Sequence, residues 1–328
     1  MTQSTLVLTR RDVLELLDPI ACIDAVEAAF RQHAEGRIAP GILSVHVEGG
    51  GFHIKTAAML DAPRYFAAKI NANFPANPGT AGLPTIQGAI LLFDAANGRV
   101  LAVMDSAEIT ALRTAATTAV AVRHLARRSA STVTLIGCGV QAASQLRAVA
   151  AVRDLRHIHV ADLDRERAER FARSMADALN ARVEATDDVP AAVAASEICI
   201  TCTPARRYIV EREWVRPGTF IAGVGADNEH KQEIDPRLFR SARVVVDSLE
   251  QCAAIGDLHH ALDSGDMTQA EVHAELGAVV AKRAPARQSE DEIVLFDSTG
   301  VALTDVAAAA RVYESALERG RGTAICLQ

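Results

Sequence analysis

No apolar run in the chain reaches the eighteen or so residues that a membrane-crossing helix needs, although 49% of its 328 residues are hydrophobic. No membrane partner is therefore expected. The opening stretch, MTQSTLVLTRRDVLELLD, turns charged too early for a secretory signal, so a cytoplasmic location is the expectation. A basic stripe is missing as well. The formal net charge is −7, which argues against nucleic acid as a partner and leaves room only for a local basic pocket. The six cysteines are scattered, as suits a reducing compartment better than a disulfide scaffold. Cys199 and Cys202 form a CxxC, but their setting EICITCTP reads as a strand. Residues three apart on a strand face opposite ways, and no second pair completes a zinc site. No repeat recurs at a solenoid period.

What is present is enough apolar residue for a sizeable core, and length for two domains. The pattern predicts a helix over 11–36 with a break near Asp18 and Pro19. Alternating residues over 42–55 predict strands turning at Gly49, Gly50 and Gly51. More strands are expected over 65–71, 86–94 and 100–105, with turn chemistry at 73–79. This half reads as an antiparallel sheet with helices. After an Ala-rich helix over 107–127 and a linker at 128–131, strands (133–136, 157–161, 198–203, 219–224, 244–247 and 293–296) alternate with helices. Such alternation argues for a parallel sheet covered on both faces. A last helix over 305–318 follows that sheet and is expected to return to the first domain.

The segment VTLIGCGVQAAS, beginning at Val133, breaks an apolar strand on Gly137 and Gly139 and opens a helix. In that setting Gly137 takes the tight turn, Gly139 lets the backbone approach a diphosphate, and Ala142 lets helix and strand pack closely. The helix N-terminus offers unpaired N–H groups to the phosphates. A second strand, HIHV, ends at Asp162, 25 residues beyond Gly137. A carboxylate there accepts hydrogen bonds from the adenosine ribose and repels a 2′-phosphate, which favours NAD over NADP. Asp164 adds to the repulsion, while Arg165 and Arg167 work against it.

Two cations sit on apolar elements: Lys69 in YFAAKINANFP and Arg113 in EITALRTAAT. Each is either solvated at a surface or paired in a cleft. Together they suggest a carboxylate site, with Arg113 as a bidentate clamp and Lys69 as a point charge. Asp227 follows FIAGVGAD at the carboxyl end of a strand, where ligands of open parallel sheets bind. It is either a proton carrier for a substrate nitrogen or a capping residue of a loop. His259, His260, Asp257 and His273 lack a ligand spacing that points to metal, and no metal is expected. Glu250 and Asp297 sit at strand ends without an assigned role.

These stretches together resemble the ornithine cyclodeaminase/μ-crystallin family. The likeness rests on AAKINANFPANP, GLPTIQGAILLFD, AVMDSAEITALRTAAT, LIGCGVQA, GTFIAGVGADNEHKQEID, VVVDSLEQC and VLFDSTGVALTDVA. The resemblance implies an α/β fold: a Rossmann-type parallel-sheet domain over 129–303, plus a mixed α+β substrate-binding and dimerisation domain over 1–128, completed by 304–328. It implies a homodimer joined through the first domains and a dinucleotide cofactor, NAD by the reading of Asp162. By the same analogy Lys69 and Arg113 hold a substrate carboxylate, and Asp227 with Lys69 is catalytic. Thr85, Thr114, Gly137, Gly139, Val140, Gln141, Asp162, Thr203, Val224, Lys231 and Ser298 match cofactor-contacting positions.

One departure concerns charge. Where many members carry a further carboxylate-binding arginine, residues 38–43 read IAPGIL, with Gly41 at that place. About fourteen residues later, FHIKT puts His53 and Lys55 two apart on one strand face, as candidate substrate ligands or as a solvated strand edge. If Lys55 faces the pocket, an ornithine ammonium is opposed there. The expectation is therefore an NAD-dependent imine reductase or amino-acid dehydrogenase for a small amino or imino acid, an acidic imine such as iminosuccinate being one candidate. The alternatives are an ornithine cyclodeaminase yielding proline and ammonia, and a non-catalytic, crystallin-like nucleotide-binding protein.

Overall fold

The computed structural model describes residues 4–327. The chain forms two compact units. One comprises Met1–Arg113 with Val301–Gln328, the other Thr114–Gly300. In chain order, β1 (Thr5–Leu8), β2 (Ile38–Val47), β3 (Gly50–Met59), β4 (Tyr65–Asn73), β5 (Ile86–Asp94) and β6 (Val100–Asp105) precede a long helix, Ala107–Leu125. Then come β7 (Thr132–Ile136), β8 (His157–Ala161), β9 (Arg182–Ala185), β10 (Ile198–Thr201) and β11 (Arg206–Val210). They are followed by β12 (Phe220–Gly223), β13 (Gln232–Ile234), β14 (Arg243–Val246), β15 (Ala274–Glu275) and β16 (Val294–Asp297). The helix Ala302–Arg319 and β17 (Thr323–Ile325) close the chain.

The first unit holds a seven-stranded sheet in the order β17-β1-β6-β5-β4-β3-β2. It is mixed rather than wholly antiparallel, because β1 lies parallel to β6. The helix expected over 11–36 with a break near Asp18 and Pro19 is two, Arg10–Leu16 and Pro19–Ala34, parted at that place. Asp18 accepts the Ala21 N–H as N-cap of the second, and Pro19 at its first position cannot extend the first helix. The β2–β3 hairpin turns at Glu48 and Gly49, one residue earlier than expected, with Gly49 at φ +80°. Gly50 and Gly51 belong to β3, where a Cβ on Gly50 would meet the Phe74 ring and the Asn73 carbonyl. Residues 73–79 contain the start of a helical turn, Asn77–Thr80.

Cross-strand register divides the faces of this sheet. Ile42, Lys55, Lys69 and Ile90 are successive partners across β2 to β5 and share one face. On the other face lie Leu43 with Ile54 and Ile70, and Val45 with Phe52. The helix Ala302–Arg319 belongs to this unit, and nine successive residues at its start, Ala302 to Ala310, are buried.

The second unit is built on an eight-stranded parallel sheet, β15-β14-β16-β12-β10-β7-β8-β9, with β11 and β13 as a separate pair. Its strands read as apolar runs because both faces are covered. All four residues of β10, β12 and β16 are buried. The four-residue β9 and the three-residue β13 carry too little periodicity to be seen in the sequence. The parallel strands present their carboxyl ends on one edge, where Gly137, Asp162, Thr203, Val224 and Ser298 all follow strands.

Candidate active site

Beyond β7 the chain turns through Gly137 at φ +100°, a conformation that favours glycine. A Cβ there would also strike Thr203 and the Cys202 carbonyl. Gly139 has a different reason: a Cβ would meet no protein atom within 4 Å, so packing within the chain does not demand glycine at this position. Val140 next to it is 87% exposed, and Gln141 heads the helix Ala142–Ala150. Gln141 Oε1 is buried with no hydrogen-bond partner among the described residues. The Asp162 carboxylate accepts the Cys138 N–H at 2.8 Å and the Asp164 N–H at 2.9 Å, which fixes it beside the glycine turn. Arg165 is turned to Glu169 and Asp187, and Arg167 stands between Asp162 and Asp164. The residues fit a dinucleotide: open backbone at Gly139, a fixed carboxylate at the end of β8, and N–H groups at a helix start.

Behind this glycine turn lies a chain of buried carboxylates: the sequence reading named Asp257 and Asp297 without a role and missed Glu233. Glu233, on β13, accepts Thr201 Oγ1 (2.8 Å), Thr203 N–H (2.6 Å), Thr203 Oγ1 (2.7 Å) and Gly225 N–H (2.7 Å). It thereby ties the loop after β10 to the loop after β12. Asp257 in turn accepts the N–H groups of Glu233 and Ile234, and Asp297 accepts those of Asp257 and Leu258. Asp247 receives Ser298 Oγ and the Gly300 N–H. Burial raises the pKa of Glu233, Asp257 and Asp297. The charges of Asp297 and Glu233 add to the rise at Asp257.

Asp227 lies in the loop after β12, half exposed, with Oδ1 2.7 Å from Lys231 Nζ. Lys231 also donates to the Gly225 carbonyl, so within this unit it holds the Asp227 carboxylate in place. Val224 donates its N–H to the Thr201 carbonyl. Thr114 is buried at the start of the second unit. Thr85 belongs to the first unit, where its carbonyl accepts the Phe74 N–H.

In the first unit Lys69 and Arg113 are both buried, at 3% and 5% exposure. They converge on a residue the sequence reading passed over. Asp305 Oδ1 is 2.8 Å from Lys69 Nζ and 3.0 Å from Arg113 Nε. The signal was available: an acidic residue in the otherwise apolar VALTDVAAAA is as conspicuous as Arg113 in its Ala-rich helix. Lys55 is the direct cross-strand partner of Lys69, and like charges placed so are mutually destabilising. Burial, Arg113 and Lys55 lower the Lys69 pKa to about 7, against the pull of Asp305. Burial pushes the Asp305 carboxyl up, but Lys69, Arg113 and Lys55 outweigh it and hold its pKa below the ordinary aspartate value. His53 shares the face of Lys55, and its Nδ1 lies 3.1 Å from Ser44 Oγ. Gly41 pairs with Thr56, so a side chain at position 41 would project from the face opposite Lys55.

The other conspicuous groups are engaged elsewhere. His260 meets the Lys231 carbonyl, His259 meets Asp263 and His273 meets Arg243. Cys199 and Cys202 are free thiols. A basic cleft of about 820 Å³ lies between residues 123–128 and 279–290, before β7 and β16 rather than at their carboxyl ends. Arg287 Nε in its wall donates to the Leu125 carbonyl, at the end of the helix Ala107–Leu125.

A mixed-sheet unit with two buried cations on one carboxylate, and a Rossmann-type unit whose strand-end residues fit a dinucleotide, define a nucleotide-dependent oxidoreductase class. The sequence profile of the ornithine cyclodeaminase/mu-crystallin family matches residues 3–320, and the chain belongs to that family. Three solved structures are closely similar. An archaeal alanine dehydrogenase dimer with bound NAD superposes with a TM-score of 0.94 at 35% identity, covering 99% of this chain and 100% of that one. The Δ1-pyrroline-2-carboxylate reductase of Thermococcus litoralis, in complex with NADH and L-proline, gives 0.94 at 34%, covering 98% and 100%. The iminosuccinate reductase of Paracoccus denitrificans, in complex with NAD+, gives 0.92 at 31%, covering 98% and 99%.

Two substitutions test this geometry. Asp305→Asn removes the carboxylate that Lys69 and Arg113 share, and a loss of about 3–5 kcal/mol is expected by denaturant titration. Added anionic substrate should restore part of it, and a loss below about 1 kcal/mol with no anion effect contradicts the assignment. Glu233→Gln weakens the tie between Thr203 and Gly225. NADH affinity, read by fluorescence titration, should fall about tenfold, as loss of a charged hydrogen bond of about 1.5 kcal/mol implies; unchanged affinity contradicts it.

Proposed function

We propose that this chain is an NAD-dependent oxidoreductase that reduces the Cα=N bond of a small α-imino acid to the amino acid, with acidic imines such as iminosuccinate preferred. The observation that carries this reading is the cluster in the first unit: Lys69 and Arg113 are both buried and converge on Asp305, and Lys55 is the cross-strand partner of Lys69. Three cations gathered on one face favour an anionic substrate. Lys69 and Arg113 hold its α-carboxylate, and Lys55 with His53 favours a second acidic group. The same charges oppose an ornithine ammonium by about 4 kcal/mol per cation at 4 Å and an effective dielectric near 20, which places ornithine cyclisation second.

The residues that would hold the nucleotide are Gly137, Gly139, Val140, Gln141, Asp162, Thr203, Val224, Lys231 and Ser298, with Thr85 and Thr114 in support. Bound NADH supplies the hydride. Asp227, oriented by Lys231, carries the proton that the substrate nitrogen takes up as the amine forms. Asp162, whose two oxygens are already committed to backbone N–H groups, favours NAD over its 2′-phosphorylated form. A nucleotide-binding protein without chemistry has no use for an oriented, half-exposed carboxylate in that loop.

The test is NADH oxidation with oxaloacetate, pyruvate or glyoxylate plus ammonia, with Δ1-pyrroline-2-carboxylate, and NAD+ reduction with ornithine. The acidic imine should give the highest kcat/KM, and Asp227→Ala should abolish turnover. Ornithine turning over faster than every imine would reverse the assignment. The pH dependence follows from Lys69. Its folded pKa of about 7 lies below the ordinary lysine value, and a substrate carboxylate favours its protonated form. KM for the anionic substrate should therefore rise as pH increases through about 7, and binding should take up protons. In Lys69→Arg that pH dependence should vanish; a KM flat with pH in the wild type would show that Lys69 does not meet the carboxylate.

The assembly proposed is a homodimer through the first unit. Leu43, Val45, Phe52 and Ile70 lie on one sheet face at 57%, 44%, 37% and 39% exposure, an apolar stripe suited to a second copy of itself. Light scattering should give a dimer for the wild type and a monomer for Val45→Glu. A monomeric wild type would remove the proposal.

A further inference from the structure

We propose that His157, His159 and Glu184 form a binding site for a divalent transition-metal ion of the zinc type on the flank of the nucleotide-binding unit. His157 and His159 are two apart on β8, so both rings leave the same face of the sheet, with ring centroids 4.2 Å apart. β9 runs beside β8 at the sheet edge, with Arg182 opposite His157 and Glu184 opposite His159. That register puts the carboxylate on the same face as the rings. One ligand atom from each of the three lies within 4.8 Å of the other two, and His157 Nε2 is 2.8 Å from Glu184 Oε2.

Donor atoms around a tetrahedral zinc ion with bonds of about 2.0–2.1 Å stand roughly 3.3 Å from one another. Side-chain rotation reaches that arrangement without moving either strand. Two imidazoles and a carboxylate are a donor set that suits zinc and leaves one position for water. A cleft of about 500 Å³ beside the cluster, lined by His159, Glu184, Glu169 and Arg173 among others, gives that water room. His157 and Glu184 are 29% and 42% exposed, so an ion can enter from solvent. The proposed redox chemistry uses none of these residues. An ion here would pin the edge strand to β8, the strand that leads directly to Asp162.

Arg182 competes for the carboxylate, donating through Nε to Glu184 Oε1 at 2.8 Å. The site is therefore one that Arg182 weakens, which gives it a signature beyond simple loss. Metal-stripped protein is titrated with zinc chloride by calorimetry and with cobalt(II) by visible absorption. The variants are His157→Gln, His159→Gln and Arg182→Ala, with circular dichroism to confirm folding. One ion per chain is expected, with tetrahedral cobalt bands and no sulfur-to-cobalt charge transfer, which separates this site from the exposed Cys326. Hundredfold excess over Kd should raise the melting temperature by about 5 °C or more. Each histidine variant should bind about tenfold more weakly, Arg182→Ala should bind more tightly, and NADH turnover should not change. Absence of one-site binding in the wild type, or binding unaltered in both folded histidine variants, overturns the proposal.

Discussion

Burying a cation in a small sheet is permitted only if a countercharge comes with it. Lys69 and Arg113 could not both sit at the interior of the first unit without a carboxylate between them, since an unpaired buried charge costs several kcal/mol. Asp305 meets that demand from the last long helix, 236 residues away from Lys69 in sequence. The discontinuity of the first unit follows from this pairing. The chain leaves at Arg113, builds the whole nucleotide-binding unit, and returns at Val301 with the missing charge.

The second unit solves a related problem with backbone instead of side-chain cations. Its buried carboxylates Glu233, Asp257 and Asp297 are each met by N–H or hydroxyl donors: at the end of β10 and in the loops after β10 and β12 for Glu233, on β13 for Asp257, and at the start of the helix Asp257–Ser264 for Asp297. The acids work as ties. They hold the carboxyl ends of β10, β12 and β16 in one arrangement, so that residues contributed by separate loops form a single surface.

What could be read from the residues in order depended on distance along the chain. The glycine turn and Asp162 are set by spacing within one strand-helix-strand stretch, so they were legible. Lys69 and Arg113 were legible as charges in apolar surroundings. Asp305 carried the same signal but had no visible partner, because only the register of the sheet and the return of the last helix bring it to Lys69. Glu233 was hidden for the same reason, its partners being threonines and N–H groups at the ends of other strands, and Asp257 was seen only beside histidines because its partners are backbone N–H groups of β13, which have no side-chain identity to read. Lys55 was legible as to its face but not its neighbour, which emerged from the pairing of β3 with β4. His157 and His159 were seen only as strand residues, because the four-residue β9 that brings Glu184 beside them was invisible.

The return of the chain at Val301 has a consequence for synthesis. At ribosomal rates of roughly 5–20 residues per second, Asp305 is made roughly 12 to 47 seconds after Lys69. Over that interval the nascent first sheet waits for Asp305 while residues 114–300 are made, and these are complete only five residues before it. The first unit therefore cannot close until nearly the whole chain has been made, and residues 5–113 are the part that waits longest for their partners.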